Sequence, residues 1–257
     1  RTNMAWNPDT YNKFKSERFA PFYDCLNLIT IRQGIEVIDL GCGTGELTRK
    51  LADALPESKV TGIDFSQEML NDSKAFENDR VQFELRTIEE EVNRNTKWDL
   101  VFSNAAIQWV YNHEELLPKI IGMVKTGGQL VIQLPNQNQN LSNLILDELA
   151  AEEPFCTALQ GWTRNSPVLD IERYAQIFFE NGSQQMTVFE KIYPLVLKDS
   201  DALFDWVSGT ALIPYIERLN GEVKEQFIAA YKARLRSRFT GSPVFYPFKR
   251  IIMESKF

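Results

Sequence analysis

From residue 35 to residue 134 the sequence alternates between strand patterns and helix patterns, and this alternation restricts the fold more than any other feature. Short apolar or alternating runs predict five strands, at Ile35–Leu40, Lys59–Asp64, Val81–Leu85, Trp98–Ser103 and Gln129–Leu134. Apolar residues at helical spacing lie between them, at Glu46–Leu55, after a predicted N-cap at Ser66, and from Asn112 or His113 to Val124. Strands that are joined by helices form a parallel sheet with helices on both faces and right-handed crossovers.

The sequence after residue 135 has a different pattern. Helical spacing fills about 140–153, 170–181, 200–208 and 222–238, and two strand-like runs, Gln185–Leu197 and Pro247–Ser255, predict a terminal pair of sheet strands. We expect the helices between these strands to form a lid over the carboxyl edge of the sheet. The first 30 residues are expected to form helices that close over the same edge.

The predicted fold is therefore α/β, a Rossmann-like doubly wound and mainly parallel seven-stranded sheet with a helical lid. We predict one domain over residues 1–257. Its N-terminal helices occupy residues 1–34, its cofactor-binding core residues 35–135, and its lid and terminal strands residues 136–257.

Charge and cysteine usage restrict the partners and the compartment. The chain has 28 Lys and Arg against 35 Asp and Glu, a net charge of -7, which argues against a nucleic-acid partner. Its three cysteines are widely spaced and predict neither a disulfide framework nor a zinc site. There is no membrane-length apolar run, and the first four residues lack the order of a signal peptide. We expect a cytoplasmic protein without a membrane partner, either a monomer or a weak homodimer.

A glycine-rich turn joins the first strand to the first helix, in the segment Asp39-Leu40-Gly41-Cys42-Gly43-Thr44-Gly45. Glycines permit positive φ and let a ligand touch the backbone, and ligands bind outside the carboxyl ends of such strands. The segment is not the dinucleotide fingerprint, because Glu46 stands where the third glycine belongs and would repel a pyrophosphate. The pattern is similar to the first motif of class I S-adenosylmethionine (SAM) methyltransferases, which implies a cofactor without phosphate.

A second signal follows the second strand. Asp64 lies 19 residues after Gly45, where nucleotide-binding sheets place the acid that accepts ribose hydroxyls, and Phe65 beside it can stack on an adenine. The alternative is that the glycines only make a tight turn and that Asp64 caps the next helix. In class I methyltransferases the segment corresponding to Ser103–Trp109 lies under the transferred methyl group, which implies that Asn104 contacts the methionine part of SAM.

The predicted cofactor is SAM and the predicted product is S-adenosylhomocysteine (SAH). The predicted cofactor-binding residues are Tyr11, Arg18, Asp39, Gly41, Cys42, Gly43, Gly45, Asp64, Phe65, Thr87, Ile88, Glu89, Asn104 and Ala105.

The chain resembles the trans-aconitate methyltransferase family nearly end to end. The resemblance is carried by Trp6-Asn7-Pro8, Phe102–Trp109, Gly161–Leu169, Leu203–Thr210 and Pro247–Arg250. It implies a SAM-dependent O-methyltransferase that esterifies one carboxylate of a small di- or tricarboxylic acid. Two positions depart from the family: Ala20 stands where a second basic residue is common, and Thr87 where an Asp near the adenine is usual.

The acceptor chemistry requires little from the protein. A carboxylate is already a nucleophile at neutral pH, so we expect no general base, no catalytic side chain and no metal, only in-line placement with water excluded. The lone His113 is predicted to be an exposed residue at a helix start. Tyr11, Tyr193 and Tyr215 are candidate hydroxyl donors to the acceptor, and Arg18 is a candidate for its carboxylates or for that of SAM. The predicted acceptor-site residues are Trp109, Trp162, Arg164, Trp206 and Arg250.

Each acceptor-site residue has a structural alternative. Trp109, Trp162 and Trp206 could serve in packing, and Arg164 and Arg250 could be solvated surface charges. Two other functions also stay open. The acceptor could be a malonyl-thioester or a lipid-like acid, or the chain could be a non-catalytic SAM-binding module. The intact glycine turn, Asp64 and the acidic charge favour an enzyme.

Overall fold

The computed structural model describes residues 15–257, and it describes side chains from Phe19 onward. Its strands are β1 (Glu36–Leu40), β2 (Lys59–Asp64), β3 (Val81–Leu85), β4 (Trp98–Asn104), β5 (Val124–Pro135), β6 (Gln185–Leu197) and β7 (Val244–Lys256). Its α-helices are α1 (Lys15–Leu28), α2 (Glu46–Ala54), α3 (Gln67–Ser73), α4 (Ile88–Val92), α5 (His113–Gly122), α6 (Leu141–Ala150), α7 (Phe155–Ala158), α8 (Ile171–Glu180), α9 (Ser200–Ser208), α10 (Ile213–Ile216) and α11 (Gly221–Arg238).

The seven strands form one sheet in the order β3-β2-β1-β4-β5-β7-β6. Strands β1 to β5 pair with one another in parallel, whereas β7 runs antiparallel to β5. The order reverses at β1, which pairs with β2 on one side and β4 on the other. In such sheets this reversal opens a crevice at the carboxyl ends of the strands. The predicted Rossmann-like, mainly parallel sheet of seven strands is confirmed.

The chain divides into two compact units. The sheet unit contains residues 20–135, 167–191 and 250–257, and the helical unit contains residues 136–166 and 192–249 with the described residues up to Phe19. In the sheet unit, apolar strand residues such as Ile38, Val101 and Ile132 are fully buried together with helix residues such as Leu117 and Phe178. The predicted position of a lid over the sheet edge, and the predicted single domain, stay predictions.

The core of the helical unit is aromatic. Tyr215, Phe227 and Tyr231 are fully buried, and the Tyr215 and Phe227 rings stack with their centroids 5.4 Å apart. These side chains come from α10 and α11, and they pack with Leu146 of α6 and Trp206 of α9. The unit thus has a hydrophobic core of its own.

Two element boundaries show how local capping and sheet pairing each set where a helix begins or ends. Ser66 caps α3 as predicted, because its hydroxyl accepts the backbone N–H of Met69. The helix that was predicted to reach Val124 ends at Gly122 instead. Val124 begins β5 and pairs with Trp98 of β4, and the Trp98 N–H donates to the Met123 carbonyl at 2.8 Å. Sheet pairing therefore ends the helix earlier than its apolar spacing indicates.

Across residues 15–257, no helix combines the length and the apolar character that a membrane span requires. Within that same range, no group of three or more His, Cys, Asp or Glu side chains is placed to hold a metal ion.

Candidate functional site

The turn after β1 is held by its backbone. The N–H groups of Gly41 and Cys42 both donate to the Ile63 carbonyl at 2.9 Å, and the Gly45 N–H donates to the Cys42 carbonyl at 3.1 Å. Gly45 has φ +80° at the N-cap of α2, where no side chain caps the helix. The turn therefore presents bare backbone at the carboxyl edge of the sheet, beside the N-terminus of a helix.

The three glycines of this turn serve different purposes. A Cβ on Gly41 would lie 2.2 Å from the Cβ of Ala106, and one on Gly45 would lie 2.6 Å from the Phe83 ring. Those two glycines allow close packing within the sheet unit. Gly43, with φ +56°, has no atom within 4 Å of the position that a Cβ would take. Open space at Gly43 is the arrangement that lets a ligand approach the main chain.

Asp64 joins this turn to the end of β2. Its Oδ2 accepts the Gly43 N–H and its Oδ1 accepts the Ser66 N–H, both at 2.9 Å, and the residue is only 9% exposed. Burial raises the pKa of the carboxyl, against the lowering effect of these backbone donors. A carboxylate has about four acceptor positions, so beyond these bonds Asp64 can still accept from a ligand hydroxyl. Phe65, which follows, is 59% exposed at the same edge and is available to stack on a ring.

Asp39 is buried at the penultimate position of β1. The Thr48 hydroxyl of α2 donates to its Oδ2 at 2.6 Å, and burial raises the pKa of its carboxyl to about 7. An approaching ammonium group would favour the ionised form of this carboxyl. Asp39 therefore fits the predicted neighbourhood of an amino group.

The end of β3 supplies the next predicted residues. Thr87 caps α4: its hydroxyl accepts the Glu90 N–H, and the Glu90 carboxylate accepts the Thr87 N–H in return. Ile88 is buried and Glu89 is exposed in the first turn of α4. The Thr87 hydroxyl proton is not used by the cap, so it can still donate to a ligand.

The segment after β4 lies against the glycine turn. Ala105 has φ +55°, its N–H donates to the Gln133 carbonyl, and its own carbonyl accepts from the Gln108 amide at 2.7 Å. Asn104 is half-buried at the end of the strand, and Trp109, at the end of a short 3₁₀ turn, is 48% exposed. Trp109 is therefore exposed, and its role as a wall of an acceptor pocket stays a prediction.

His113 begins α5 as predicted, but the prediction that it is exposed is wrong. The side chain is 1% exposed, its Nδ1 lies 2.6 Å from the Tyr174 hydroxyl, and its Nε2 lies 2.8 Å from the Ile107 carbonyl. Since a carbonyl only accepts, Nε2 carries the proton, and Tyr174 donates to Nδ1 while it accepts the Leu169 N–H at 3.0 Å. Burial lowers the pKa of this imidazole. His113 thus anchors the Ile107–Trp109 turn as a neutral ring.

Gln133 was not predicted as a site residue. It is fully buried on β5, and its amide lies between Asn104 and Arg250, with bonds of 2.7 Å and 2.8 Å. Arg250 on β7 is 8% exposed, so it is not the solvated strand-end charge that the sequence left open. The sequence does contain a sign of this role: Gln133 interrupts the apolar run Leu130–Leu134, and a buried amide needs hydrogen-bond partners.

In the helical unit, Arg164 forms an ion pair with Asp147 of α6. Its Nη2 and Nε donate to the two Asp147 oxygens at 2.6 Å and 3.1 Å, and the Tyr215 hydroxyl donates to the same carboxylate. Within residues 15–257, no hydrogen-bond partner is found for the buried Nη1 of Arg164. Buried donors require acceptors, so this nitrogen fits a ligand oxygen. Asp147 had no signal in the sequence.

The two predicted tryptophans of the helical unit differ in exposure. Trp162 is half-buried, its ring meets the Tyr215 ring edge-on at 5.3 Å, and the Arg218 guanidinium lies 4.1 Å from its ring centre. Trp206 is 5% exposed and meets Phe248 edge-on within the core. Their roles toward an acceptor stay predictions. Tyr11 lies outside the described residues, as does the side chain of Arg18.

Comparisons of the sequence with known proteins give two matches. Residues 31–186 match the family described as "Methyltransferase domain". The chain is 38% identical over 255 residues to a trans-aconitate 2-methyltransferase of Deinococcus radiodurans, with 97% of each chain covered.

Among solved structures, the YcgJ protein of Bacillus subtilis matches with a TM-score of 0.61 at 14% identity, over 91% of this chain and 97% of that one. A phosphoethanolamine N-methyltransferase 2 of Haemonchus contortus, solved with S-adenosyl-L-methionine, matches with a TM-score of 0.55 at 15% identity. That match covers 94% of this chain and 52% of the other. These two structures share the fold with this chain.

Proposed function

Because the chain belongs to the class I SAM-dependent methyltransferases, in the family of the trans-aconitate 2-methyltransferases, we propose that it esterifies one carboxylate of trans-aconitate or of a closely similar di- or tricarboxylic acid. The observation that carries the acceptor is the extent of the family match. The methyltransferase domain ends at residue 186, whereas the similarity to the trans-aconitate enzyme continues through the helical unit. A cofactor domain alone would leave the acceptor undetermined.

We propose that the residues at the sheet edge hold the cofactor. The open backbone at Gly43 accommodates the methionine part of the cofactor, and the Asp39 carboxylate attracts its ammonium group. The remaining lone pairs of Asp64 accept hydrogen bonds from the two ribose hydroxyls. Phe65 and the first turn of α4 flank the adenine. The other cofactor residues in this proposal are Tyr11, Arg18, Gly41, Cys42, Gly45, Thr87, Ile88, Glu89, Asn104 and Ala105.

The acceptor is a polyanion, so its recognition needs fixed cations. Arg164 supports this proposal, because Asp147 fixes its guanidinium and leaves the buried Nη1 donors for a carboxylate. The family match and this spare donor together favour an acid with several carboxylates over an apolar acceptor. Trp109, Trp162, Trp206 and Arg250 complete the proposed acceptor residues.

When bound, SAM supplies a methyl group on a positively charged sulfur, and an acceptor carboxylate takes that methyl as a neutral thioether leaves, without proton transfer. The protein therefore needs no general base, and in this proposal His113 has no part in the reaction, because Ile107 and Tyr174 engage both of its ring nitrogens. What the chain supplies is orientation and the exclusion of water, and well-oriented approach can lower a barrier by roughly 7–11 kcal/mol.

We also propose a cytoplasmic location. Cys25, Cys42 and Cys156 are all free thiols, and two of them are buried, which suits a reducing compartment. The oligomeric state and the absence of nucleic-acid and membrane partners stay predictions from composition.

The proposal is tested by methyl transfer from tritium-labelled SAM to a panel of di- and tricarboxylic acids, a malonyl-thioester and a fatty acid. We expect label in trans-aconitate or in a similar small polyacid, in a base-labile ester. If label appears only in the thioester or the fatty acid, the acceptor is not a small polyacid but a compound of that other class. Binding of SAM without label in any acceptor would point to a non-catalytic module.

The variant Arg164→Ala in the same assay tests whether this arginine binds the acceptor acid. We expect a raised KM for the acid with little change in SAM affinity, because the lost donors face the acceptor. Arg173→Ala is the matched control, since Arg173 is a partly exposed arginine that pairs with Glu114 and Glu180 and has no proposed role. An equal loss of acceptor and SAM binding in Arg164→Ala would indicate a folding defect instead.

A further inference from the structure

Gln133 links two predicted site residues inside the sheet unit. It stands opposite Asn104 in the register of β4 and β5, and its side chain is fully buried. Its Oε1 accepts an N–H from Nη1 of Arg250 at 2.8 Å, and its Nε2 donates to Oδ1 of Asn104 at 2.7 Å. Both ends of the Gln133 amide are therefore used, one by the arginine and one by the asparagine.

The chemistry of arginine fixes the direction of this hydrogen-bond relay. A guanidinium only donates, so Gln133 must turn its oxygen toward Arg250 and its nitrogen toward Asn104. Asn104 must then turn its own oxygen toward Gln133, and its Nδ2 faces away from the relay. In the described part of the chain, no hydrogen bond to this Nδ2 is found. Without Arg250, either end of the Gln133 amide could face Asn104.

Asn104 lies where the orientation of its amide can affect a ligand. The residue ends β4, and two positions later the Cβ of Ala106 occupies the space that a side chain on Gly41 would need. An amide nitrogen offers two N–H donors, which suit a carboxylate and repel an ammonium. We propose that Arg250 and Gln133 are positioning residues that lock Asn104 as a hydrogen-bond donor to a ligand carboxylate at the sheet edge.

This inference rests on the proposed function and assigns Arg250 a specific part in it, which is exerted through Gln133. The carboxylate has two sources, the methionine end of SAM or the acid that accepts the methyl group. Both present the same acceptor oxygens to Asn104, and a binding experiment separates them.

Gln133→Glu tests the relay with almost no change of shape. The introduced carboxylate still accepts from Arg250, but it has no donor for Asn104, so Asn104 must turn its amide and present oxygen to the ligand. We expect at least tenfold weaker binding of the carboxylate ligand, with kcat changed much less than KM if that ligand is the acceptor. Gln82→Glu is the control for the added carboxylate: Gln82 is exposed on β3 of the same sheet unit, and β2 and β1 separate that strand from β4 and Asn104.

Two readouts identify the source of the carboxylate. A tenfold rise in the Kd of SAH by calorimetry assigns it to the methionine end, and a tenfold rise in the KM of the acid alone assigns it to the acceptor. A folded Gln133→Glu protein with both constants within twofold of wild type overturns the proposal. If wild type methylates no acid, the proposed function fails, and the SAH titration alone then decides the relay.

Should Gln133→Glu fail to fold, Asn104→Asp provides the second variant. This substitution keeps the oxygen that Gln133 needs and replaces the ligand-facing nitrogen with a charged oxygen. The same tenfold loss is expected, and unchanged binding constants in this folded variant also overturn the proposal.

Discussion

Replacing Asp64 with alanine removes the carboxylate that we assign to the ribose of the cofactor. In the free protein this carboxylate already accepts the backbone N–H groups of Gly43 and Ser66, each at 2.9 Å. These bonds fix its direction before any ligand arrives, and burial leaves little water to compete for its remaining lone pairs. The substitution therefore removes an oriented, poorly hydrated acceptor.

The magnitude follows from the charge of the acceptor. Hydrogen bonds to a charged group contribute about 1.5–3 kcal/mol each. The loss of one such bond corresponds to a roughly 10- to 150-fold rise in the Kd of SAM. A second ribose hydroxyl on the same carboxylate would add to this loss, so the rise in Kd would reach or exceed the upper end of this range.

The assay is calorimetric titration with SAM and SAH, at a temperature where circular dichroism shows each variant fully folded. Asp99→Ala is the matched control, because Asp99 also accepts a backbone N–H, that of Glu36, but from the start of β4. We expect Asp99→Ala to keep the wild-type Kd. A folded Asp64→Ala protein with an unchanged Kd would refute the ribose assignment, whatever its melting temperature.

Three further predictions concern stability. Gly34→Ala, at φ +69° in open space, should lower the free energy of unfolding in urea by about 1–2 kcal/mol. Gly41→Ala, at φ +79° against Ala106, should lower it by at least ~1 kcal/mol more, and equal losses would argue against the close contact. Folding raises the pKa of the Asp39 carboxyl from 3.8 to about 7, so wild type should lose stability as pH rises through this interval, by a free energy of the order of 4 kcal/mol. Asp39→Asn should remove this loss, and parallel pH profiles of the two proteins would contradict the burial effect. His113→Gln should remove the opposite effect, a loss of stability as pH falls below 6.5, because the unfolded imidazole binds a proton that the folded one resists; an unchanged slope would mean that the ring is not held neutral.

Much of the sheet was predictable because its information is local. The bounds of β2, β3 and β6 were predicted to the residue, those of β3 from its alternation of apolar and polar side chains. On β2, the residues Val60, Gly62, Ile63 and Asp64 are all buried, so the strand is a nearly continuous buried run, as expected for a parallel strand that is covered on both faces. The glycine turn was predictable for a similar reason, since each of its glycines has a positive φ.

The rest depends on partners that are distant in sequence. His113 looks solvated among polar neighbours, but its partner Tyr174 comes from a helix 61 residues later. Asp147 becomes a site residue only through Arg164, 17 residues away. The partner of Gln133 is Arg250, which lies 117 residues later in the sequence and is brought beside it by β7. Such polar pairs leave no periodic signal, so local pattern reasoning does not find them.

A crystal structure with SAH bound tests the central claim most directly. We predict that the nucleoside lies across the carboxyl ends of β1, β2 and β4, with its ribose hydroxyls within hydrogen-bond distance of the Asp64 carboxylate and its amino-acid end against Gly43. Density for SAH at any other place, with the space beside Gly43 and Asp64 filled by protein, would contradict the account.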